Sequence, residues 1–185
     1  MKTAAIEKKH FTTKQMTLIG MMTAIMCILG PLALPLPFSP VPISFTNLAV
    51  YFTVFVLGSK YGTVSYLIYL FLGIAGLPVF SGFGGGLGKA VGPTGGYLLG
   101  FIFLSLIAGW CIEKFPGNKG MYAAGMLAGT AVCYIFGTLW LARQLNISFT
   151  AGLGIGVLPY IPADIGKIII AVAAGPVLRK TVEKM

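Results

Sequence analysis

Asp164 and Lys167 have the most chemistry to offer, because they lie in the run Pro162-Ala-Asp-Ile-Gly-Lys167 within an otherwise apolar stretch. Three positions apart, they share one face of a helix. Facing lipid, each charge costs roughly 3 kcal/mol on insertion scales. Both must therefore point into protein and partly neutralise one another. Two readings stand side by side. The pair is either a plain intramembrane ion pair that fixes helix packing, or the lining of a polar binding site near the outer end of the last helix.

Two loops offer a second kind of surface. PVFSGFGGGLGKAVGPTGGY (78–97) places eight glycines between Gly82 and Gly96. Glycine lets backbone come close to a ligand and supplies positive φ angles. The same clustering also suits a flexible hairpin or close helix packing; its concentration in one loop favours a functional wall. LPLPFSPVP (34–42) holds prolines 35, 37, 40 and 42, which favour a stiff extended path over a helix. On the first apolar segment, Gly20 and Ala24 form a small-xxx-small pair beside Thr17 and Thr23. That stripe admits another helix closely, from a partner or from this chain.

Other chemistry is missing. Gly88-Lys89 fails as a phosphate loop, with Phe83 at the first glycine position and Ala90 at the Ser/Thr position. There is no H-E-x-x-H, and His10 is the single histidine, which removes histidine-dependent hydrolases. Cys27, Cys111 and Cys133 lie in apolar segments at no metal-ligand spacing. No cofactor or metal is expected, and an enzyme using Asp164 as acid or base would lack a complete mechanism.

The elements that position these residues follow from composition. Apolar residues make up 57% of the 185 and charged ones 9%, against about 45–50% and 25% in soluble domains. The excess apolar surface must face hydrocarbon. The net charge of +9 then reads as orientation signals rather than nucleic-acid binding. Segments of about 20 apolar residues predict six spans near 15–34, 43–59, 62–78, 94–113, 120–142 and 159–178, with Gly58 and Gly62 marking a tight turn. The fold expected is an all-α integral membrane protein. It is a single six-helix domain over residues 1–185, led by a basic segment (1–14) that is too polar, before too long an apolar run, for a cleavable signal.

One side of this arrangement carries Lys2, Lys8, Lys9, Lys14, Lys60, Lys114, Lys119, Arg179, Lys180 and Lys184, the other only Lys89 and Arg143. The imbalance puts both termini in the cytoplasm. The longer connections, 35–42, 79–93 and 143–158, then lie outside and suggest a pocket opening outward.

VPISFTNLAVY (41–51), GLPVFSGFGGGLGKAVGPTGGYLLGF (76–101) and IPADIGKIIIA (161–171) resemble the BioY family of biotin transporters, the substrate-capture (S) subunits of energy-coupling factor (ECF) transporters. The likeness covers nearly the whole chain. Its most specific part combines GLPVF…GPTGGY with P-x-D-x-x-K on the last helix. The resemblance implies high-affinity biotin capture in the cell membrane by a multi-pass subunit, coupled to a transmembrane coupling protein and two cytoplasmic ATPases. It places substrate-binding residues at Ser81, Gly82, Gly84, Gly85, Gly86, Gly95, Gly96, Tyr97, Asp164 and Lys167, with the proline-rich loop, Thr46 and Asn47 closing the other side. It places the coupling-protein contact at Gly20 and Ala24, where the family carries Ala-x-x-x-Ala. Some relatives carry an amide side chain in the SGFGGG stretch where this chain has Gly84, so the resemblance implies that one ureido contact comes from elsewhere, with Asn47 as the candidate.

The chemistry of biotin fits this inventory on its own terms. The ureido ring has N–H donors that Asp164 can accept with charge assistance. The tail carboxylate needs a cation, for which Lys89 and Lys167 are the lysines away from the cytoplasmic face. A stand-alone carrier for biotin or a related small carboxylate is the alternative function.

Overall fold

The computed structural model describes residues 12–37 and 39–184; Lys2, Lys8, Lys9 and His10, within the basic segment 1–14, lie outside them. Helix α1 (Thr13–Leu29) starts at a capping box in which Thr12 and Gln15 satisfy each other's backbone N–H. It ends at Gly30, before Pro31, short of the expected residue 34. The chain then extends into β1 (Ala33–Leu36) and β2 (Ser39–Ser44), an antiparallel pair with Ala33 opposite Ser44, Leu34 opposite Ile43 and an irregularity between Leu34 and Leu36. The proline-rich stretch is extended, as expected, but pairs into a hairpin. Prolines lack a donor and sit in a small ladder where edge positions are plentiful.

Helix α2 (Thr46–Ile74) joins the second and third predicted spans, 43–59 and 62–78, in one element that starts later and stops earlier than they do and is broken at Gly58 (φ 75°, ψ −174°). Gly62 packs against Val54, whose Cα would lie 3.2 Å from a Cβ built at Gly62. Eight residues along a straight helix rise about 12 Å, so the two arms fold back on one another at Gly58. Glu113 closes the break by accepting from the Ser59 N–H at 3.1 Å.

The glycine-rich loop contains a single-turn helix, α3 (Gly86–Val91). Helix α4 (Gly95–Lys114) leads to α5 (Lys119–Leu145), which starts at an Asn118 side-chain cap and stops at Asn146 in the left-handed conformation. A short α6 (Phe149–Gly156), capped by Ser148, lies in the connection expected to be a loop. Helix α7 (Ile161–Glu183) carries Pro162 in its first turn, where the missing donor costs no hydrogen bond.

The long helices α2, α4, α5 and α7 have the length and apolar composition to cross a membrane, and α1 is a shorter apolar helix. This is a helical, multi-pass membrane bundle. Tyr51, Tyr66, Tyr69, Phe55 and Phe80 are buried at its centre. Small residues bring α4 and α5 together: a Cβ at Gly100 would lie 2.8 Å from Cys133 Cα, and one at Gly129 3.0 Å from Leu104 Cα. Several polar side chains in the core find partners across helices, including Thr23 with Ser65 at 2.9 Å and Thr63 with Ser105 at 2.9 Å.

Candidate binding cavity

The first turn of α7 fixes the polar centre of the molecule. The Asp164 N–H bonds the Tyr160 carbonyl at 2.9 Å, and Lys167 follows on the same face. Both are buried, at 8% and 7% exposure. Lys167 Nζ lies 2.9 Å from Asp164 Oδ1. The same oxygen accepts from Asn47 Nδ2 at 2.8 Å, and Oδ2 accepts from the Tyr134 hydroxyl at 2.5 Å. Lys167 also donates to the Ser44 carbonyl at 2.7 Å. Four segments thus converge on one carboxylate and its cation. Several kcal/mol of desolvation per ion are offset only by such complete partnering.

This centre lies against a cavity between β2, α2, α4, α5, α6 and α7. Val41, Ile43, Phe80, Leu98, Phe101 and Leu104 supply apolar wall; Ser81, Thr46, Asn47, Thr130, Tyr134, Asp164 and Lys167 supply polar groups. A mostly apolar enclosure with a few convergent polar groups suits a small ligand with one hydrogen-bonding end. The walls are pinned by hydroxyls: Tyr160 donates to Ser39 Oγ at 2.7 Å and lies against the Val41 carbonyl, Tyr97 donates to the Gly156 carbonyl at 2.8 Å, and Tyr51 pairs with Thr130 at 2.6 Å.

Of the residues singled out in sequence, Ser81, Thr46, Asn47, Tyr97, Asp164 and Lys167 come together on this cavity. The glycines do not line it. Gly82 and Gly86 supply turns at φ 72° and 81°, and a Cβ at Gly85 would lie 2.4 Å from the Leu77 carbonyl. Gly84 bridges back to Phe80 and lies under the Lys89 stem, about which a Cβ would be 3.2 Å from Lys89 Cδ. Lys89 itself sits on α3, off the cavity wall. Gly95 and Gly96 are packing sites, where a Cβ would stand 2.0 Å from the Ala90 carbonyl and 2.3 Å from Trp140 Cβ respectively. Their lack of side chains serves loop and helix approach rather than the cavity lining.

On α1, Ile19, Met22, Thr23 and Met26 face the bundle, while Gly20 and Ala24 are exposed and nothing lies within 4 Å of a Cβ at Gly20. Among the described residues nothing packs over Gly20, and Ala24 is exposed beside it. Among the described residues no group of three His, Cys, Asp or Glu side chains could hold a metal ion.

Sequence reasoning missed Tyr134, Tyr160 and the Ser44 carbonyl. The only signal for the tyrosines was a hydroxyl within or beside an apolar segment, which demands a partner once buried. The carbonyl had no signal, since backbone atoms are common to every residue.

The model for the BioY family matches residues 2–184. A biotin transporter BioY of Rhizobium etli is 35% identical over 173 residues, covering 89% of this chain and 92% of its own. One from Thermotoga maritima is 34% identical over 167 residues, covering 90% and 96%. Among solved structures, the crystal structure of the S-component for biotin from an ECF-type ABC transporter superposes with a TM-score of 0.85. The two share 34% identity, over 92% of this chain and 95% of the other.

Proposed function

The chain belongs to the BioY family, and from that membership we propose that it captures biotin in the cavity beside Asp164 and Lys167 and delivers it as the S subunit of an ECF transporter. The family and its relatives are transporters, not enzymes. The single observation that carries the site is the buried carboxylate of Asp164, held by Asn47, Lys167 and Tyr134 against an otherwise apolar cavity.

In this reading the ureido ring of biotin enters the polar centre and its N–H groups bond Asp164, exchanging with one or more of the present donors. The thiophane ring and aliphatic tail lie along Phe80, Leu98 and Phe101. The carboxylate points toward the loop 78–97, where Lys89 is a cation without an ion-pair partner among the described residues. The loop glycines at 82, 84, 85 and 86 let Phe80 and Ser81 reach the ligand, and Gly95 and Gly96 set the start of α4 that carries Tyr97.

The chain is read as one domain with six passes through the cell membrane: α1, the two arms of α2, α4, α5 and α7. The reversal at Gly58 supports that count. Lysines and arginines crowd the end opposite the cavity, which supports cytoplasmic termini. The exposed Gly20–Ala24 stripe suits close contact with a coupling helix, which would connect the subunit to two ATPases.

Mass spectrometry of the small molecule that copurifies with the chain tests the ligand, and biotin is expected. Reconstitution of the chain alone tests the mode of action. Binding without accumulation is expected, and accumulation against a gradient without ATPases would instead establish a self-sufficient carrier.

A further inference from the structure

A second concavity lies on the outside of the bundle, between the start of α4 and the end of α5. It is lined by Gly96, Leu99, Phe136, Leu139, Trp140, Arg143 and Gln144. Its volume of about 490 Å³ is far more than a single water needs. At its floor α4 and α5 approach closely, since a Cβ at Gly96 would lie 2.3 Å from Trp140 Cβ. Leu99 and Leu139 are half exposed, and Phe136 stacks on Phe103 at 4.7 Å, which continues the apolar surface along the two helices.

The polar end of the groove is as specific as its apolar length. Trp140 Nε1 donates to the Gly92 carbonyl at 2.9 Å and Gln144 Nε2 to the Val91 carbonyl at 2.9 Å. The indole N–H is engaged, as is one N–H of the Gln144 amide. Arg143 is exposed and takes part in neither ion pair found among the described residues, Asp164–Lys167 and Arg179–Glu183. No acid lies nearby in sequence, and the acid at the cavity end, Asp164, is already surrounded by donors. The position of Arg143 in the last turn of α5 favours its charge, and no described residue accepts from its five N–H donors. An anion with an attached chain completes this arrangement. A guanidinium suits a phosphate diester, and an indole beside it suits the membrane interface.

We propose that this groove binds an anionic phospholipid, with Arg143 taking the headgroup phosphate and Leu99, Phe136 and Leu139 an acyl chain. The lipid belongs to the leaflet at the cavity end of the bundle, where α4 begins and α5 ends. There it buttresses Gly92 to Gly96, the segment that leads into Tyr97.

Native mass spectrometry after reconstitution in equal phosphatidylglycerol and phosphatidylcholine tests this. The parent chain should retain phosphatidylglycerol in preference. Arg143→Gln should reduce that retention by about tenfold or more, Arg143→Lys by less. Leu139→Trp, which fills the groove without altering charge, should also reduce it, and millimolar inorganic phosphate should not displace the lipid. Thermal unfolding confirms that each variant is folded. Unchanged retention in Arg143→Gln or in Leu139→Trp, equal retention of the two lipids, or displacement by free phosphate would each overturn the proposal.

Discussion

Asn47 Nδ2 donates to Asp164 Oδ1 at 2.8 Å across 117 positions of sequence, joining the first turn of α2 to the first turn of α7. Both residues sit where a helix begins, so the bond ties two helix starts together beside the hairpin that leads into α2. The carboxylate that anchors them faces the cavity, and a ligand that bonds it senses both helices at once.

Tyr134 is the partner that sequence reasoning overlooked. Tyr134→Phe keeps the ring and removes the donor to Asp164 Oδ2. A hydrogen bond to a charged group contributes about 1.5–3 kcal/mol. Biotin affinity should therefore fall roughly 10- to 150-fold if Tyr134 holds the carboxylate in its binding orientation. Isothermal titration checks this, and unchanged affinity would remove Tyr134 from the site.

The carboxylate of biotin should be recognised separately from its ring. Lys167 is already neutralised by Asp164 at 2.9 Å, whereas Lys89 has no such partner among the described residues. Biotin methyl ester should bind at least about tenfold weaker than biotin, since a charge-assisted contact of about 1.5 kcal/mol or more is lost. That difference should shrink in Lys89→Gln. Competition binding with the two ligands measures it.

The stripe on α1 should be needed for assembly and not for capture. Gly20→Leu combined with Ala24→Leu would fill this exposed stripe, where no described residue lies within 4 Å of a Cβ at Gly20. Copurification with the coupling protein should be lost while the affinity for biotin is retained. Loss of both together would point to a fold defect instead.

Gly58 should resist substitution. Its φ of 75° and ψ of −174° lie in a region that is nearly exclusive to glycine, where another residue costs about 1–3 kcal/mol. A Cβ there would stand 2.0 Å from Glu113 Oε1 and disturb the bond that closes the break. Gly58→Ala should lower the thermal midpoint measurably, and an unchanged midpoint would show that the two arms of α2 tolerate another turn.

The parts of this structure that lipid dictates were legible in sequence. Long apolar segments have to become helices in a bilayer, so the positions of α1, α4, α5 and α7 followed, as did the break at Gly58; Gly62, expected to share that turn, lies within the second helical arm and packs against Val54. Asp164 and Lys167 were legible for the same reason, because a charge among apolar residues has to find a partner. The hairpin was hidden by its prolines, which mark extended chain but not pairing. Gly95 and Gly96 were read as wall because glycine admits a ligand and a neighbouring helix equally well. Only the packing of Trp140 over Gly96 separates the two.

Titration of biotin into Asp164→Asn most directly tests whether the cavity beside α7 is the capture site. An amide still fills the volume and accepts a bond but gives up the charge. The affinity should fall by roughly 5- to 150-fold, equivalent to about 1–3 kcal/mol, in a protein whose thermal unfolding shows it to be folded. Parental affinity in a folded Asp164→Asn protein would contradict the assignment and leave the Asp164–Lys167 pair as scaffold.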